Sequence, residues 1–162
     1  MFYKPTAPYY FKSGKRKGES VEKLMFSNYD LLVWIKKKMD KENTQNYNGL
    51  HKHLEWLLAR GEKLKTERLC PYCNRNHVKF FLVIQDESGI SIATTHTCCD
   101  NLTCKKKLMA NHGASLFPIR FSSILLFRNK TDRKQVIKLI KKTCGLGNLT
   151  PQKAFNFFKA CE

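Results

Sequence analysis

The 162-residue sequence predicts an α+β fold: a small basic hairpin with helices, a cysteine-flanked hairpin, then a strand and a helix pair. Three observations predict it. Apolar residues recur at helical spacing near both ends of the chain. Two strand-like runs in the middle are joined by Asp86-Glu87-Ser88-Gly89, a turn sequence. Glycines and prolines fall between these stretches rather than inside them. The expected segments are 1–64, 65–112 and 113–162.

In the first segment Tyr9-Tyr10-Phe11 reads as a short strand. Ser13-Gly14-Lys15-Arg16-Lys17-Gly18 reads as a tight basic turn, and Ser20-x-x-Lys23 leads into a short apolar turn. Ser27 or Asn28 is positioned to cap a helix whose apolar residues are Leu31, Leu32, Trp34, Ile35 and Met39. Lys36, Lys37 and Lys38 sit in its last turns, where cations favour the negative end of the helix dipole. Asp40 to Asn48 is polar and reads as a loop. Leu50, Leu54, Leu57 and Leu58 then mark a second amphipathic helix, with Gly61 expected just beyond its end.

In the second segment Lys79–Gln85 and Ile90–Thr95 are the two strand-like runs. The third begins with an expected strand over Pro118–Phe127, rich in Ile, Phe and Leu. Thr131 or Asp132 is expected to cap the next helix, with Val136, Ile137 and Ile140 on its apolar face. Gly145 and Gly147 break it. Thr150 and Pro151 are an N-cap and first-turn pair that opens the last helix, on which Ala154, Phe157, Phe158 and Cys161 recur at helical spacing.

Five of the seven cysteines flank the central hairpin. Cys70-Pro71-Tyr72-Cys73 is a C-x2-C turn, which places two sulfurs on one metal. Cys98, Cys99 and Cys104 follow the hairpin. A structural zinc site fills all four tetrahedral positions with protein ligands. A knuckle, a hairpin and a second cysteine turn deliver such a set, in the manner of a zinc ribbon. Adjacent Cys98 and Cys99 do not easily share an ion, so the expected ligands are Cys70, Cys73, Cys99 and Cys104. Cys98 is the rival to Cys99, and His96 or His77 is able to replace a sulfur. Cys144 and Cys161 occupy apolar helix positions and read as core thiols.

Thirty basic residues against thirteen acidic ones leave a formal charge of +17. Such an excess favours polyanions, nucleic acid before an anionic membrane. A Lys-rich genome is the bland source of the same composition. Three basic clusters are candidate phosphate contacts: Lys12, Lys15, Arg16 and Lys17 on the glycine turn, Lys105, Lys106 and Lys107 after the last cysteine, and Arg133 and Lys134 opening a C-terminal helix. Tyr9, Tyr10 or Tyr72 is able to stack on a base if exposed. No apolar run approaches the ~18 residues of a membrane helix, and the N-terminus lacks a signal-peptide core. A cytoplasmic, non-secreted protein with reduced thiols and no membrane partner is expected.

Two partial resemblances add to this. Residues Phe11 to Ile35, with Gly14-Lys15-Arg16-Lys17-Gly18, Val21, Leu24 and Tyr29-x-x-Leu32-x-Trp34-Ile35, resemble the small G-K-x-K-G domain. That domain occurs at the C-terminus of exodeoxyribonuclease X-like proteins and in small bacterial and phage proteins. The resemblance implies an accessory role near DNA, without the nuclease chemistry, and Ser13 stands where the family has Phe. At the other end, Lys134-x-Val136-Ile137-Lys138-x-Ile140-Lys141-x-Thr143, Gly145-Leu146-Gly147 and Lys153-Ala154 are similar to part of the ribosomal stalk protein C-terminal domain. That likeness implies a factor-binding helix pair, although Cys144 is inserted and the family's later elements are missing.

These features converge on an expectation: a non-enzymatic, zinc-containing nucleic-acid-binding protein, contacting DNA or RNA through lysines, in a setting such as a phage or mobile element. A protein-interaction adaptor within a ribosomal or nucleoprotein complex is the alternative. A zinc-containing nuclease is a further one, but no H-E-x-x-H or H-x-E motif supplies its base.

Overall fold

The computed structural model of the chain describes residues 3–42, 49–110 and 114–161. In chain order the elements are α1 (Val21–Met25), α2 (Tyr29–Lys41), α3 (Leu50–Gly61), β1 (Phe80–Gln85), β2 (Ser91–Cys98), α4 (Leu102–Leu108), β3 (Ala114–Pro118), a 3-10 helix (Phe121–Leu126), α5 (Lys130–Thr143) and α6 (Pro151–Ala160). The class is α+β, as the sequence predicts. The chain groups into two compact units rather than three consecutive segments: Met1–Lys63 with Asn148–Glu162, and Leu64–Gly147. The C-terminal helices expected as a pair are divided between them, α5 in the second unit and α6 in the first.

The first unit is helical. Ser20 caps α1 by accepting from the Lys23 N–H. Leu32 and Met39 of α2, Leu54 and Leu57 of α3, and Ala154, Phe155 and Phe158 of α6 are buried. Trp34 was expected on the apolar face of α2 but is 57% exposed. It lies two residues from Leu32, roughly 200° around the helix, so it points away from the core. Gly61 is the buried last residue of α3, not a residue beyond it. Glu62 ends the helix in a right-handed conformation, so no left-handed glycine is needed there. The polar stretch expected as a loop is helical through Lys41; residues 43–48 of it lie outside those described. The N-terminal basic turn closes on a single antiparallel bridge, Tyr10 to Ser20, without strands. Gly14 and Gly18 have φ of +79° and +83°, values that favour glycine.

The second unit is built on an antiparallel sheet of order β2-β1-β3. β1 is central, and its Phe81, Leu82 and Val83 are almost fully buried. A register shift between Phe81 and Val83 bends the β1–β2 hairpin. At its tip the Asp86 carboxylate accepts from the N–H groups of Ser88 and Ile90 at 2.9 Å each.

The strand expected over Pro118–Phe127 is displaced. β3 stops at Pro118, and Phe121–Leu126 forms the 3-10 helix. Proline gives the ladder no N–H, and the last bond is from the Ile119 N–H to the Lys79 carbonyl at 2.8 Å. The Ser123 hydroxyl donates to the Pro118 carbonyl at 2.7 Å. Phe121, Ile124 and Phe127 are buried and recur every third residue, the period of a 3-10 turn. The cap of α5 is Asn129, not Thr131 or Asp132: its side chain accepts from the Asp132 N–H at 2.7 Å. Asp132 is instead buried in the first turn, where it accepts from the Ala93 N–H of β2 at 3.3 Å. Thr150 and Pro151 open α6 as expected. Among the described residues, no helix is long and apolar enough to cross a membrane.

Candidate metal centre

The knuckle is shaped by its backbone. The Cys70 carbonyl accepts from the Asn74 N–H at 2.9 Å, and the Cys70 N–H donates to the Asn76 carbonyl at 2.7 Å. Asn74 sits at φ +50°, and among the described residues it alone is a non-glycine with positive φ. Asparagine tolerates this left-handed conformation better than most side chains. The turn aims the N–H groups of Asn76 and Arg75 at the Cys73 sulfur, and these hydrogen bonds lower its pKa to about 7. Burial raises the Cys70 pKa, but the N–H groups of Tyr72, Cys99 and Cys73 and the Cys99 side chain outweigh it, for a net lowering.

The other two sulfurs arrive from different elements. Cys99 follows the last residue of β2, and Cys104 lies in the first turn of α4. The Asn101 side chain caps that helix by accepting from the N–H groups of Thr103 at 2.9 Å and Cys104 at 3.4 Å. The second half of the site is therefore a strand end plus a helix start, not a second knuckle. Burial first, then the neighbouring Cys99, Cys70 and Cys73, push the Cys104 thiol up to about 12.

The sulfurs of Cys70, Cys73, Cys99 and Cys104 all lie within 4.8 Å of one another. Zinc–sulfur bonds of about 2.3 Å in a tetrahedron place sulfurs about 3.8 Å apart. The Cys73–Cys99 distance is 3.9 Å, and Asn76 Nδ2 donates to Cys99 Sγ, also at 3.9 Å. None of the seven cysteines is in a disulfide. These four sulfurs form a set able to hold one metal ion.

The rival ligands fall outside this set. Cys98 is buried beside it, and burial followed by the charges of Cys70 and Cys99 raises its pKa to about 11. Successive residues of an extended chain face opposite sides, so Cys98 and Cys99 diverge. His77 and His96 are exposed, and neither belongs to the sulfur set. Cys144 and Cys161 are buried core thiols, at 4% and 1% exposure.

The basic residues divide by what they touch. Arg16 pairs with Glu19 at 2.7 Å, Lys105 lies 4.1 Å from the centroid of Phe80, and Arg133 Nε donates to the Phe127 carbonyl at 2.6 Å. Lys12 lies 6.0 Å from the Tyr9 ring centroid. Lys15, Lys17, Lys106, Lys107 and Lys134 are exposed and have no ion-pair partner among the described residues. The basic cluster of α4 is thus carried by the helix that supplies Cys104. Tyr10 is 45% and Tyr72 37% exposed, whereas Tyr9 is half-buried against His53.

One polar network has no counterpart among the expected sites. Glu22 and His53 are buried at 0% and 1% side-chain exposure and meet at 2.7 Å. Glu22 also accepts from the Ser20 hydroxyl and the Tyr9 N–H. The far ring nitrogen of His53 meets the Tyr3 hydroxyl at 3.0 Å. The signal was present in the sequence: His53 shares the helical spacing of Leu50, Leu54 and Leu57, a polar residue on an apolar face.

No protein family, curated protein or solved structure matches the chain.

Proposed function

We propose that this chain is a non-enzymatic nucleic-acid-binding protein whose second unit is held by one structural Zn2+ on Cys70, Cys73, Cys99 and Cys104. The observation that carries the metal is the mutual proximity of four sulfurs drawn from the knuckle, the end of β2 and the start of α4. A tetrahedral sulfur set suits zinc or iron. Four protein ligands leave no open position for a substrate or a reactive water, which favours a structural role over hydrolysis. A reducing compartment such as the cytoplasm would keep these thiols as ligands.

Nucleic acid is supported by the +17 charge and by lysines on the glycine turn, α4 and α5 that are exposed and have no ion-pair partner among the described residues. The resemblance of Phe11–Ile35 to the G-K-x-K-G domain points the same way, toward DNA. Metal analysis of protein purified without chelator is the first test. One colourless zinc per chain is expected; an absorbing iron centre or no metal overturns the proposal. Binding to DNA or RNA is then measured across salt. Contacts to several phosphates make affinity fall steeply between about 50 and 200 mM salt. A flat salt response removes the lysine contacts.

The adaptor reading has one observation in its favour. Ile84, Ile90 and Ile92 are exposed at the hairpin end, at 36%, 50% and 39%. A protein that co-purifies through high salt and is lost on replacing Ile90 and Ile92 by Ser would select that reading.

A further inference from the structure

The first unit contains a cleft of about 620 Å³, within the range of small-molecule sites. Tyr3, Trp56 and Ala59 give it an aromatic wall beside a small residue. Lys4, Lys52, Arg60 and Lys63 ring it, against one carboxylate, Glu55. Lys52, Trp56 and Arg60 are spaced four residues apart along α3, so they form one stripe of that helix.

The aromatic wall is anchored from behind. Trp56 packs against His53 at 5.3 Å and Phe155 at 5.8 Å between ring centroids. Tyr3 is edge-on to His53 at 5.9 Å and hydrogen-bonded to it, and His53 is fixed by buried Glu22. Both rings therefore have a set position before any ligand arrives. The cations behave differently. Arg60 is tied to the Cys161 carbonyl, while Lys4, Lys52 and Lys63 have no ion-pair partner among the described residues. Elsewhere Lys12, Lys38 and Lys105 rest over aromatic rings; no described lysine does so at Trp56 or Tyr3. Trp56 is half-buried, and its remaining surface lines the cleft.

We infer that this cleft binds a nucleotide unit, its base stacked on Trp56 beside Tyr3 and its phosphate held by Lys52, Lys63 and Lys4. Base–aromatic stacking combined with ammonium–phosphate contact is how sequence-tolerant single-strand sites work. An uncharged aromatic ligand would make no use of the cations, and a bare polyphosphate would make none of the rings. The inference deepens the nucleic-acid proposal and rests on it, but it involves neither the metal nor the lysine runs on the glycine turn, α4 and α5.

The test uses the full chain with Trp34→Phe, which leaves Trp56 as the sole indole of the two tryptophans. Its fluorescence is titrated with a short oligothymidylate, with thymidine monophosphate, and with inorganic polyphosphate. Saturable quenching by the oligonucleotide is expected, weakened about tenfold or more when Lys52→Ala with Lys63→Ala removes two phosphate contacts, a loss of about 1.4 kcal/mol or more. Both lysines are surface residues, and retained circular dichroism confirms that the fold survives. Monophosphate binding as tight as the strand identifies a free nucleotide as the natural ligand; a strand much tighter identifies a polynucleotide. Either supports the site. Quenching by polyphosphate equal to that by the strand, or by neither nucleotide nor strand, overturns it. Salt-sensitive gel-shift binding without Trp56 quenching would sink the cleft while leaving the wider nucleic-acid proposal intact; loss of both sinks both.

Discussion

Cys98 and Cys99 show how one bond's direction decides which sulfur joins a cluster. Both are fully buried and adjacent, yet only Cys99 reaches the other three sulfurs. Cys98→Ala is therefore expected to retain one metal per chain. Cys104→Ala leaves three sulfurs, and its affinity should fall by more than the roughly 10–100-fold that follows loss of a hydrogen bond to a ligand. Competition with a chelator of known affinity measures both. If Cys98→Ala loses the metal and Cys104→Ala keeps it, the ligand set is wrong. Asn74 belongs at this scale as well, since its left-handed backbone turns the N–H groups of Arg75 and Asn76 onto Cys73.

Among the elements, α4 is the most exposed to a single change. It has only seven residues, too few to persist on helix propensity alone. The Asn101 cap holds its first turn, and a metal on Cys104 would hold it further. Asn101→Ala should cost about 1 kcal/mol, as other lost caps do, and weaken metal binding with it. Unfolding in urea with and without zinc checks this; an effect confined to stability would separate the cap from the site. The α2–α3 connection has a pH signature. Asp40 accepts hydrogen bonds from His51 at 2.6 Å and Lys36 at 2.7 Å, and these hold its carboxyl below the ordinary 3.8. A depressed folded-state pKa adds stability above the unfolded value, and that stability is lost as pH falls through the folded value. Wild type and Asp40→Asn should therefore differ in unfolding midpoint near neutrality and converge in acid. A difference that grows in acid would contradict the pairing.

At the scale of the molecule, the two units call on different sources of order. The first packs Leu32, Leu54, Leu57, Phe155 and Phe158 between helices. The second has a three-stranded sheet whose β1–β2 hairpin is entered and left through the cysteine cluster. Metal binding to such a site contributes directly to folding free energy. Chelation is expected to raise amide exchange in β1, β2 and α4 while α2 and α3 keep their protection. Equal loss of protection in both units would show that the metal is not specific to the second.

By itself the sequence determined the α+β class, the C-x2-C knuckle, the central hairpin and most helices, because these follow from local periodicity and turn chemistry. It also narrowed the metal set, since few residue types ligate zinc. Tertiary structure decided what local rules do not encode. The run expected as a strand at Pro118–Phe127 leaves β1 after Ile119 and turns into a 3-10 helix, which buries Phe121, Ile124 and Phe127 together. The C-terminal helices separated into two units because burial depends on faces meeting across the chain, not on adjacency in sequence. The choice of Cys99 over Cys98, and the burial of Glu22 with His53, depend on where distant side chains converge.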